Sequence, residues 1–204
     1  SVLTVGIVLG ALAVVLIGGR VSANGSYGGM MGGNGSSGGG MMGGNGGGGM
    51  MGGSGMMDSA NVQATTPQAL QQMLQQITPS IQVNASTDQV RYSSSSVHLL
   101  AIGAPPGRSG MYWQVDGLVN PTVIVPSGAS ITVTFANGDQ DTYHGWELTA
   151  SAPPYDQMPM MSVGIAVEGA FLMPIQPPNG NTWYSATATF TAPAAGTYYY
   201  LCPM

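Results

Sequence analysis

The sequence predicts an all-β sandwich set behind an apolar N-terminal span and a glycine-rich tether. Three observations lead there. Beyond residue 83, short apolar runs recur between Gly, Pro and Asn-Gly turn signals. Residues 24–57 are of low complexity and cannot build a packed core. Residues 2–19, "VLTVGIVLGALAVVLIGG", carry no charge. A chain of 204 residues holds one sizeable domain plus such additions. The resulting map is a transmembrane anchor at 1–23, a flexible linker at 24–65 and a β domain at 66–204.

The apolar span is long enough, as a helix, to match the hydrocarbon thickness of a bilayer. A retained membrane helix is the first expectation, which places the rest of the chain on the extracytoplasmic side of a cell membrane in a single pass. A cleaved signal peptide ending near "VSA" at 21–23 and a pilin-type assembly helix are the competing readings.

The tether contains four methionine pairs, Met30–Met31, Met41–Met42, Met50–Met51 and Met56–Met57. As a random coil its 34 residues span roughly 32 Å. Thioether sulfur also selects Cu(I), so copper capture stands beside the plain tether, as does weak adhesion to an apolar partner.

Residues 66–77, "TPQALQQMLQQI", predict the one helix outside the anchor. Thr66 caps it, Pro67 suits the first helical position, and Leu70, Met73, Leu74 and Ile77 form one apolar face. Its expected role is to cover an open edge or end of the β domain. Strands are expected at 97–102, 113–115, 122–125 and 130–136. In the last of these Ile131, Val133 and Phe135 alternate with threonine. "TYHGWELTA", "ATATFTA" and "GTYYYLC" continue the series, and a Pro- and Met-rich stretch at 152–178 interrupts it.

Charge narrows the function. Charged residues make up 5% of the chain, against roughly 25% in ordinary soluble proteins, and lysine is absent. A surface of Ser, Thr, Asn, Gln and Gly suits strong acid, where a charge-rich surface becomes cationic and repels itself. A glycoprotein or another low-charge exported protein at neutral pH is the alternative. A net charge of −5 with three scattered arginines offers no nucleic-acid footprint. No catalytic acid–base pair, phosphate loop or nucleotide motif is present, so an enzyme is not expected. A multicopper oxidase would need further histidine clusters, and only His98 and His144 exist here.

The candidate chemistry rests on His144 and Cys202. Each alone reads more simply as a structural histidine or a buried small hydrophobe. Cys202 is the only cysteine, so no intrachain disulfide is possible. Taken in order, "NPTVIVPSGASITVTFANGD", His144, "PPYDQMP" at 153–159 and "AGTYYYLC" at 195–202 resemble the rusticyanin group of the cupredoxin family, the blue copper proteins. "TPQALQQML" is similar to that group's N-terminal helical extension. The resemblance covers about two-thirds of the chain.

It implies a Greek-key β-sandwich with one type 1 copper cycling between Cu(I) and Cu(II), and His144 and Cys202 as metal ligands. In that pattern a second His and an axial Met follow the cysteine within about ten residues. Met204 stands too close to Cys202 for the axial place. The sequence is therefore expected to stop inside the metal-binding loop, a copper-free relative being the alternative. The resemblance also puts a serine where Gly145 stands; Trp146 could supply bulk there instead. Met158 and Phe171 are candidates for an apolar shell around copper, whereas His98 is expected to serve the fold. The implied function is one-electron transfer in a respiratory chain of an acidophile, with a cytochrome or terminal oxidase as partner. A Cu(I)-handling surface protein and a copper-free pilus-like subunit are the other readings.

Overall fold

Two packed sheets form the domain. The computed structural model describes residues 13–18, 61–77, 81–107, 112–155 and 159–204. In chain order the elements are β1 (Ala13–Gly18), β2 (Gln63–Thr65), α1 (Pro67–Ile77), β3 (Ile81–Asn84), β4 (Gln89–Tyr92), β5 (Ser96–Gly103), β6 (Trp113–Val115), β7 (Leu118–Val119), β8 (Thr122–Pro126), β9 (Ser130–Asn137), β10 (His144–Thr149), β11 (Phe171–Ile175), β12 (Trp183–Thr191) and β13 (Gly196–Leu201). One sheet runs β11-β10-β13-β1-β8-β4-β3, the other β2-β12-β9-β5-β6-β7.

Alternation builds the core. Ile131, Val133 and Phe135 of β9 are fully buried and face the first sheet across the sandwich. Their registered neighbours are Val97, Leu99 and Ala101 on β5 and Phe190, Ala188 and Ala186 on β12. Trp113 bridges the layers, edge-on to Phe135 at 5.6 Å and to Tyr200 of β13 at 5.9 Å. Such edge contacts favour the ring quadrupoles beyond simple burial.

The helix forms as expected: the Thr66 hydroxyl accepts the Ala69 N–H at 3.1 Å, closing the first turn. It covers a face, however, not an edge. Leu70 and Leu74 lie with Leu100 and Ile102 around a cavity of about 270 Å³ on the outer side of β5. Two strands escape the sequence reading near this helix and in the 152–178 stretch. β2 extends the second sheet by pairing with Trp183–Ser185 of β12, and β11 pairs with β10.

The N-terminal span needs correction. Ala13–Gly18 is not helical; it is a strand, parallel to β13 on one side and antiparallel to β8 on the other. Val14, Val15 and Ile17 are β-branched and favour the pleated backbone. Leu16 is 1% exposed and joins the core. Among the described residues, no helix is long and apolar enough to cross a membrane. The methionine pairs of the tether lie outside the described residues.

Candidate metal centre

His144 and Cys202 meet at one end of the first sheet. β10 and β13 are antiparallel neighbours, with Glu147 opposite Leu201 and Leu148 opposite Tyr200. His144 opens β10 and Cys202 follows β13, so the pairing brings them together although 58 residues separate them. The His144 Nδ1 lies 3.5 Å from the Cys202 sulfur. Both residues are 5% exposed.

The other ring nitrogen is occupied. His144 Nε2 stands 2.9 Å from Asp139 Oδ2. A carboxylate only accepts, so Nε2 carries the proton and Nδ1 keeps its lone pair toward Cys202. Asp139 is itself fixed, its Oδ1 accepting the N–H groups of Asp141 and Thr142. Partial burial pushes this carboxyl up, but those N–H bonds and the His144 ring outweigh it and hold it below its ordinary value. Asn137, with no exposed surface, anchors the turn from beneath. Its Nδ2 donates to the carbonyls of Thr142 and Ile175, and its Oδ1 accepts the Asp139 N–H.

The thiol is prepared for ionisation. Burial pushes Cys202 up, yet the His144 ring and the backbone N–H groups of Gly145 and Met204 bring it below its ordinary value. N–H donors on the sulfur stabilise thiolate, the form that binds metal. Burial likewise pushes His144 down, while Cys202 and Asp139 outweigh it and raise it.

Neighbouring positions sort out clearly. Gly145 sits beside a bulge between β10 and β11. A Cβ there would lie 2.5 Å from the Leu172 carbonyl oxygen and 3.0 Å from Pro203. Trp146 turns away from the centre and stacks on Phe190 in the core. Ile175, not Phe171, is registered with His144; Phe171 lies further along, opposite Glu147. Met158 lies outside the described residues. His98 serves the fold, its Nε2 2.9 Å from the Thr134 hydroxyl. Asp139 and Asn137 were hidden from sequence reasoning inside a plain Asn-Gly turn signal. Their spacing, carboxamide then carboxylate two residues on, was the available sign.

Similarity to known proteins follows this geometry. No family model matches the chain. It is 36% identical over 150 residues to a rusticyanin of Acidithiobacillus ferridurans, across 73% of this chain and 74% of that protein. The chain belongs to the rusticyanin family. A rusticyanin of Acidithiobacillus ferrooxidans is 37% identical over 149 residues, 72% of this chain and 89% of its own length. The 1.27 Å structure of rusticyanin from Thiobacillus ferrooxidans has a TM-score of 0.58 at 30% identity, over 70% of this chain and 86% of that one. The solution structure of reduced rusticyanin gives 0.59 at 29% identity, over 71% and 87%.

Rusticyanins are electron carriers with one type 1 blue copper, and they are not enzymes. Two residues of this chain suit that metal. His144 Nδ1 and Cys202 Sγ, buried and 3.5 Å apart, would hold it, and imidazole and thiolate are donors that suit copper. Among the described residues no group of three or more His, Cys, Asp or Glu is placed to hold a metal ion.

Proposed function

We propose that this chain carries single electrons outside the cytoplasm, in a respiratory chain working in acid. The observation that carries the reading is the buried Nδ1–Sγ pair, with Asp139 fixing the ring from behind. Copper bound there would supply a one-electron couple between Cu(I) and Cu(II). The protein's part is to hold the thiolate with two N–H groups, to fix the ring's Nε2 proton on Asp139, and to exclude water through burial. A site fixed by strands and a bonded turn changes little between the two oxidation states.

Redox partners follow from such a role; a cytochrome or a terminal oxidase, in a relay from iron oxidation, is the proposed pair. Tyr143, next to His144, is 51% exposed. With few charges in the chain, docking through such a side chain would depend weakly on salt. The extracytoplasmic placement rests on the low-charge composition. Fractionation of cells, with an antibody to the β domain, reads both the compartment and whether the chain stays with membranes.

The deciding experiment is copper loading of the natural protein. An intense sulfur-to-copper band and one copper per chain are expected, both lost in Cys202→Ser. A protein that takes up no copper removes the reading.

A further inference from the structure

We propose that the domain folds with two buried carboxyls, Asp116 and Glu147, in their neutral acid forms, so that the fold is strongest in acid and weakens toward neutrality.

Glu147 is 1% exposed, and among the described residues neither carboxyl oxygen has a hydrogen-bond partner. Alternation along β10 places it on the face opposite Trp146 and Leu148, together with Thr149. The loop after β10 covers this face: Thr149 Oγ1 donates to the Gly164 carbonyl, and Ala166 N–H to that of Leu148. Among the described residues, the titratable groups around it are two phenols, Tyr155 of the loop and Tyr199 of β13. No described cation pairs with it; the ion pair of the described residues is His144 with Asp139. A buried carboxylate without a partner gives up its charge by taking a proton.

Asp116 reaches the same state by another geometry. With Gly117 it forms the two-residue turn between β6 and β7, both at positive φ. This turn aims its side chain into the domain, where it is 5% exposed. Oδ1 accepts the Leu100 N–H at 3.0 Å. The Tyr92 hydroxyl lies 2.7 Å from Asp116 Oδ2 and 2.9 Å from the His98 carbonyl oxygen. That hydroxyl has one proton and two acceptors facing it. Both contacts become linear hydrogen bonds when Asp116 is protonated: its O–H donates to Tyr92, and Tyr92 donates to His98. The other groups facing it are the Tyr200 phenol, which donates to the Pro121 carbonyl, and the His98 ring, turned to Thr134. Burial holds His98 below its ordinary value.

Desolvation pushes Glu147 upward and Asp116 up to about 6, the latter against the bonds from Leu100 and Tyr92. The direction of the pH effect follows. Below about pH 4, folded and unfolded chains both hold these protons and the stabilisation is complete. Above it the unfolded chain releases protons that the folded chain keeps. The folding constant then falls about tenfold per pH unit for each group until the folded group also ionises.

The test uses the full chain. Urea unfolding between pH 3 and pH 7 should show a folding constant that falls at least a hundredfold, with part of the fall removed by Glu147→Gln and part by Asp116→Asn. A flat or rising constant, or variants that track the wild type, overturns the proposal. A second reading needs no variant of either buried acid. The chain has two glutamates, Glu147 and Glu168. Carboxyl-13C glutamate labelling therefore gives two signals, assigned by Glu168→Gln at the exposed position. The Glu147 signal should remain that of the neutral acid at a pH where a free glutamate carboxyl is already ionised. A Glu147 signal already ionised there contradicts the assignment.

Discussion

The Nε2 atom of His144 stands 2.9 Å from Oδ2 of Asp139, five residues upstream, and this bond decides which ring nitrogen is free for a metal. Asp139→Ala removes the acceptor while leaving both donors in place. Copper affinity should fall about 10- to 100-fold, the usual effect of losing such an outer partner. Competition with a chelator of known affinity measures it, and an unchanged affinity would show that the tautomer is set in another way.

Asn137 makes two hydrogen bonds within that turn and a third to Ile175 of β11, and is fully buried. Asn137→Ala leaves two carbonyls and one N–H without their partner. A loss of about 3 kcal/mol is expected, since each buried group left unsatisfied costs roughly 1–3 kcal/mol before water relieves it. Urea midpoints at constant slope check the value.

Gly145→Ser tests the crowding beside the cysteine. The new Cβ meets backbone at 2.5 Å, so β10 and β11 must separate. Overpacking of this kind costs about 1–3 kcal/mol. The serine of the family pattern is therefore expected to destabilise this chain; a neutral or stabilising result would mean that the two strands have room to move apart.

Leu16→Ala examines the strand that replaced the expected membrane helix. As a core residue between β8 and β13, Leu16 should contribute about 2–5 kcal/mol. A change below 0.5 kcal/mol would show that the domain does not depend on this segment as its central strand.

These positions also show what the sequence could reveal. β6 was legible to the residue, and β5, β8 and β9 to within one at each end, because their apolar runs are bounded by Gly, Pro and Asn. The Thr66 cap located α1. β3 was not legible as a bounded strand: Ile81 and Val83 alternate with Gln82 and Asn84, but over only four residues, three of them exposed. β11 was masked by Pro174 and by the proline-rich stretch around it. β1 was misread because an uncharged run long enough to span a bilayer looks the same to hydropathy whether lipid or a sheet receives it. Of the site, His144 and Cys202 could be found by residue type and order. Asp139 and Asn137 could not, since their roles depend on a turn that folds back onto β10.

The most direct test of the account is the copper site itself. The natural protein, loaded with Cu(II) in acid, should show the intense band of a copper–thiolate bond, with one copper per chain. Histidine Nδ1 labelled with 15N in the Cu(I) form should report His144 bound through that nitrogen and protonated at Nε2. A colourless protein, or a His144 ring bound through Nε2, would contradict the central claim that Asp139 orients His144 toward the Cys202 thiolate to hold copper for electron transfer.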